Sequence, residues 1–131
     1  MIGEWGSLLI LREAFRGVTR FDDFQHELQI SRHLLTERLK KLVAGGVLAR
    51  QPVADNARRH EYVLTPKGED LFVTLVALRQ WGDRWLFAPD LPPARMIDTV
   101  DGSQVAALEV KSSQGRSMSR RDLRLKANRK P

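Results

Sequence analysis

Helical periodicity interrupted twice in quick succession, a switch to period-two patterning and a capped return to helix predict a mainly α fold with one small β-hairpin. Trp5 to Phe15, Phe21 to Leu28 and Ser31 to Ala44 carry apolar residues at helical spacing, and only a few residues separate the last two. VLARQPV and HEYVLT then read as short strands on either side of the polar stretch Ala54 to Arg59. Thr65-Pro66 opens a further helix, with Thr as cap and Pro at the first helical position. Helix, helix and hairpin in that order make a winged helix-turn-helix.

Each element has its own local reason. The first helix presents Leu8, Leu9, Leu11, Ala14 and Phe15, and Gly17 ends it. Val18 to Arg20 is a short extended link. In RFDDFQHEL, Phe21, Phe24 and Leu28 share a face, while Asp22 and Asp23 complement the positive end of the helix dipole. Ile30 and Ser31 form the junction to the third helix, and Ser31 is suited to cap it. Leu35, Leu39 and Leu42 make a buried seam on that helix. Gly45-Gly46 stops it and permits a left-handed turn. Val47 to Gln51 and Glu61 to Leu64 are expected to pair, with Arg58 and Arg59 at or near the tip. The helix from Pro66 extends to about Trp85, with Glu69 and Asp70 in its first turn. FAPDLPPARM breaks regular structure, VAALEV at 105–110 reads as a strand, and from Lys111 the composition predicts disorder. The expected organisation is a domain over 1–87, then a Pro-rich break and a basic, flexible tail over 88–131.

Charge is distributed unevenly. The formal charge is +6, but positions 1–110 carry 14 basic and 15 acidic residues, whereas 111–131 carry 8 basic residues and one acid. The tail therefore accounts for the basicity of the whole chain. Within the front portion, positions 31–62 hold seven basic and three acidic residues, a local excess suited to phosphate.

The third helix has a second face. His33, Thr36, Glu37 and Lys40 lie opposite the leucine seam, and all four can address base edges in a major groove, which admits one α-helix. Ser31 and Arg32 stand at the helix N-terminus, where free amides also suit a phosphate. Arg58 and Arg59 on the hairpin come within reach of a neighbouring phosphate or the minor groove. A Ser-capped amphipathic helix by itself is more often a plain core helix. The ordered set of helices with a basic hairpin shifts the reading to duplex DNA. On the helix after the hairpin, Leu71, Leu75, Leu78, Trp81 and Trp85, with Phe72 and Val76, cover more circumference than one contact needs, so part of it should meet a partner chain. Trp5 is read as core or interface.

LLILREAFRGVTRFDDFQHELQISRHLLTERLKKLVAGGVLARQPV followed by HEYVLTPKGEDLFVTLVALRQWGDRW resembles the HxlR family of bacterial winged-helix transcriptional regulators, more distantly the MarR group. The resemblance covers about residues 5 to 86 and rests on RF-x-x-F-x-x-EL, IS-x-x-x-LT-x-RL-x-x-L, Y-x-LT-x-x-G and W-x-x-x-W. It implies a homodimer that binds operator DNA, usually as a repressor, and responds to a small molecule or stress. It also implies that Ser31 to Leu42 is the recognition helix, that Pro52 to His60 is the wing, and that the N-terminal region pairs with the helix at 66–85 in the dimer. Relatives often carry cysteine near the N-terminus and a Cys-x-x-Cys-Gly element in the tail. This chain has no Cys and reads Ser112-Ser113-Gln114-Gly115 at the corresponding place, which removes thiol sensing and a sulfur-ligated metal from consideration.

Other functions find little support. His26, His33 and His60 have no metal-like spacing, no nucleophile stands with a base and an orienting group, and the glycines match no phosphate loop. No cofactor and no enzymatic activity are expected. The opening stretch has neither a basic leader nor a long apolar run, so the expectation is a soluble cytoplasmic protein without membrane contact. The competing class is a winged helix whose same face binds another polypeptide.

Overall fold

In a computed structural model, residues 5–54, 56–87 and 94–128 are described. The element order is α1 (Trp5–Phe15), α2 (Phe21–Leu28), α3 (Arg32–Ala44), β1 (Leu48–Val53), β2 (Asn56–Leu64), α4 (Pro66–Glu69) and α5 (Phe72–Trp85). There follow the short strands β3 (Val110–Lys111) and β4 (Ser117–Met118) and a 3-10 turn over Arg120–Asp122. The fold is mainly helical with a small antiparallel hairpin, β1–β2, as the winged helix-turn-helix pattern requires. The chain forms two compact units, residues 1–76 and 77–131.

The first unit is organised around one apolar cluster. Ile10 and Leu11 of α1, Phe24 of α2, the seam Leu35, Leu39 and Leu42 of α3, and Val47 and Leu48 leading into β1 are all buried. Local chemistry sets the helix ends. Gly17, with φ +98°, turns the chain after α1. Gln29 closes α2 in the left-handed region, at φ 51°, and its N–H donates to the Gln25 carbonyl. The Ser31 hydroxyl accepts from the Leu34 N–H at 3.1 Å, satisfying a first-turn donor of α3. Of the Gly-Gly pair it is Gly46, at φ +74°, that takes the left-handed turn, while Gly45 remains right-handed.

A set of polar contacts fixes the far end of α3. The Lys67 ammonium donates to the Gly45 carbonyl at 2.9 Å, a cation on the negative end of the helix dipole. The Thr65 hydroxyl donates to the carbonyls of Gly46 and Val47 and accepts from the Gly68 N–H. Gly68 is itself packed so closely that a Cβ there would stand 2.2 Å from the Val47 carbonyl oxygen. The T-P-K-G turn therefore clamps the C-terminal end of α3.

The helix that begins at Pro66 is not continuous. The N–H of Leu71 bonds the Gly68 carbonyl in a tightened turn, and regular helix resumes only at Phe72. Leu71 lies outside both helices, and with Leu75 it packs against the protomer's own core. The hairpin is longer than expected, with β1 reaching Val53 and β2 beginning at Asn56. Arg58 and Arg59 consequently belong to β2 and not to a loop. Pairing runs from Leu48↔Leu64 through Arg50↔Tyr62 to Pro52↔His60 and then slips to Val53↔Asn56.

In the second unit the expected strand over 105–110 is replaced by other contacts. Residue 105 follows an isolated bridge between Ile97 and Gln104, and the Gln80 side-chain amide holds both the Ala106 carbonyl (2.9 Å) and the Leu108 N–H (2.7 Å). Strand pairing begins only at Val110, opposite Met118. Beyond Lys111, where composition predicts disorder, the structure describes this two-residue ladder and a turn in which Ser119 and Asp122 bond each other reciprocally. Gly115 supplies the left-handed residue between β3 and β4.

Candidate nucleic-acid interface

The two faces of α3 separate cleanly. Leu35, Leu39 and Leu42 are at most 1% exposed, whereas Ser31, Arg32, His33 and Lys40 are exposed and Thr36 and Glu37 half-buried. Two hydroxyls expected at the interface already have partners. Ser31 caps the helix, and Thr36 donates to the Arg32 carbonyl at 2.8 Å, which leaves its methyl group and acceptor lone pairs for other use.

A concavity of about 570 Å³ lies between α3 and the wing. Arg32 and Thr36 of α3 line it together with Arg58 and Arg59 of β2. Regular strand alternation would send Arg58 and Arg59 to opposite faces. The register slip after Pro52 relaxes that alternation, so both border the same space. His33, Glu37 and Lys40 are not among the lining residues; they occupy α3 outside the concavity.

Further lining residues escape sequence reasoning. Arg50 reaches the site because its partner across the hairpin is Tyr62, on the face that continues the pair of buried Leu48 and half-buried Leu64. Arg20 reaches it because the Tyr62 N–H donates to the Thr19 carbonyl at 2.7 Å, stitching the α1–α2 link to β2. The hairpin register would have identified Arg50. A cation at the position preceding α2, where the dipole disfavours it, was the available signal for Arg20.

The electrostatics favour an anion. Five guanidinium groups, from Arg20, Arg32, Arg50, Arg58 and Arg59, line the concavity, and Asp22 is the one carboxylate among the described residues there. Arg32 lies over the Phe21 ring, 4.6 Å from its centroid, and 3.8 Å from the Asp22 carboxylate. Both members of that ion pair are largely exposed, so it is weak, and the ring contact does more to orient the guanidinium. Arg12 and Arg16, by contrast, are engaged on α1 by the buried Glu13 and stand apart from this patch.

The expected partner-facing residues divide. Leu71 and Leu75 pack on their own core, while Leu78, Trp81 and Trp85 are 48%, 55% and 68% exposed. The side chain of Trp5 lies outside the described residues. Among the described residues no helix is long and apolar enough to cross a membrane, and no group of three His, Cys, Asp or Glu could hold a metal ion.

Residues 1–89 match the HxlR-like helix-turn-helix family. The chain belongs to that family. An uncharacterized HTH-type transcriptional regulator of Mycobacterium tuberculosis is 47% identical to this HxlR-like chain over 96 residues, 73% of the chain and 61% of the relative. The chain thus spans about three fifths of the length of the mycobacterial relatives it matches. Among solved structures, PA1607, a candidate transcription factor, superposes with a TM-score of 0.92 at 39% identity, covering 97% of this chain and 89% of that one. PA1374 from Pseudomonas aeruginosa, also a candidate transcription factor, gives 0.72 at 36% identity, with 97% and 86% covered. Family and fold are those of transcription factors and not of enzymes.

Proposed function

We propose that this HxlR-like chain is a cytoplasmic, sequence-specific DNA-binding regulator that acts as a homodimer and represses transcription from a pseudo-palindromic operator. The observation that carries the reading is the continuity of two surfaces. The outer face of α3, with His33, Thr36, Glu37 and Lys40, runs directly into a concavity walled by arginines from three other segments. Base edges require short directional polar groups on a helix, and the flanking sugar-phosphate strand requires guanidinium groups beside it. Ser31 fixes the start of the reading helix, and Arg32, Arg58 and Arg59, with Arg20 and Arg50, hold phosphates. Leu78, Trp81 and Trp85 supply the exposed apolar stripe on which two copies pair, with Trp5 as a further contact. Two-fold symmetry then sets the half-sites about one helical turn, roughly 34 Å, apart.

Footprinting on the DNA upstream of the protein's own gene, followed by anisotropy titrations at several salt concentrations, tests this. A protected pseudo-palindrome, bound with an affinity that falls linearly in log–log form with salt, is the expected result. No protected site and no salt slope would instead favour a winged helix that binds another polypeptide.

A further inference from the structure

A second concavity lies within residues 77–131 and shares no lining residue with the arginine-rich one. Its volume is about 530 Å³, and α5 forms one wall while residues 94–96 with Gln104, Val105 and Ala107 form the other. That size falls within the usual range for small-molecule pockets. We propose that it binds a small organic acid, a carboxylate on a short apolar body.

The charges present are not balanced within the pocket. Asp83 faces it but is already held by Arg79, whose Nε lies 3.0 and 3.1 Å from its two carboxylate oxygens. Arg79 also donates to the Ala94 carbonyl, so this pair is part of the wall. Arg84 and Arg95 line the same space, are exposed, and have no hydrogen-bond or ion-pair partner among the described residues. Their planar guanidinium groups suit a carboxylate better than a point charge would, because each offers two parallel donors. Among the described residues, an anion entering here meets two cations without a partner and one acid already paired with Arg79.

The remaining walls define the rest of the ligand. Gln80 also lines the pocket, but its amide is committed at both ends to the backbone at Ala106 and Leu108, so it acts as scaffold. Gln104 has no side-chain partner among the described residues and remains available to a hydroxyl or carbonyl on the ligand. Met96, half-buried between them, offers a polarizable apolar surface that adapts to an aromatic or short aliphatic body. The site is independent of whether α3 reads DNA.

The test is an NMR titration of the full chain with benzoate and hexanoate, using benzamide and inorganic phosphate as controls. The two carboxylates should produce saturable shifts at the backbone amides of Arg84, Gln104 and Val105 at concentrations up to about 10 mM. Benzamide lacks the charge and phosphate lacks the apolar body, so both should leave those signals nearly unmoved. Arg84→Gln and Arg95→Gln should each weaken the carboxylate affinity by roughly tenfold or more, the loss of one charge-assisted contact. Their spectra elsewhere should match wild type, because neither guanidinium has a structural partner among the described residues. Absent shifts with both carboxylates, equal shifts with benzamide, or unchanged affinity in both variants would overturn the proposal.

Discussion

Arg50→Gln isolates the arginine-lined concavity from the reading helix. Arg50 is exposed on β1 and opposite Tyr62, so its replacement leaves the apolar core intact and should change the melting temperature little. Its effect should lie in phosphate neutralisation. Each phosphate contact contributes about 0.9 to the slope of log affinity against log salt, so a homodimer losing one contact per protomer should lose about 1.8 units. Between about 50 and 200 mM salt, the affinity gap between wild type and variant should therefore narrow roughly tenfold. The loss should be similar on operator and random duplex, because a phosphate contact carries no sequence information. Asp22→Asn should act in the opposite direction on affinity, since it removes the acid 3.8 Å from Arg32 and the carboxylate lining the concavity. Arg16→Gln, outside the concavity, is the matched control. Fluorescence anisotropy at four or more salt concentrations reads all three variants. An Arg50→Gln slope equal to wild type in a folded protein would show that the concavity does not hold phosphate.

Other substitutions separate the remaining surfaces. Leu39→Ala opens a cavity at a position 1% exposed and should cost about 2–5 kcal/mol in a denaturant melt, whereas His33→Ala and Lys40→Ala should stay within about 0.5 kcal/mol and instead flatten the mismatch profile of operator binding. Gly68→Ala should destabilise by on the order of 3 kcal/mol, because the new Cβ meets the Val47 carbonyl, which cannot withdraw without loosening its bonds to Thr65; a melting temperature equal to wild type would contradict this. Trp81→Glu, at a residue 55% exposed, should shift the species seen in light scattering from dimer to a folded monomer, and a wild-type mass equal to one chain would refute the dimer itself.

The sequence is most informative where the cause of structure is local. Ser31, the leucine seam and Gly45-Gly46 define α3 because capping, amphipathicity and a left-handed stop each act within a few residues. The break before α5 is not legible in this way. Thr-Pro followed by acidic residues predicts a good helix start, and it is one, but the tightened turn in which the Leu71 N–H bonds the Gly68 carbonyl has no signal in that local pattern. Leu71 and Leu75 show the same limit. Their apolar spacing identifies a face that must be covered, but it cannot distinguish the protomer's own core from a partner.

The candidate site follows the same division. The reading face of α3 is legible because helical period alone puts His33, Thr36, Glu37 and Lys40 opposite the seam. Its second wall depends on tertiary register. Arg20 is 30 residues from Arg50, and the two border one concavity through separate backbone contacts at Tyr62: its N–H donates to the Thr19 carbonyl on one side, and it pairs across the hairpin with Arg50 on the other. The hairpin slip after Pro52 has a comparable effect on Arg58 and Arg59, because it removes the alternation that would separate consecutive side chains. Charge composition places the basic excess between residues 31 and 62, but only the register converts that excess into guanidinium groups around a single space. Arg20, outside that interval, enters by the same register and not by composition.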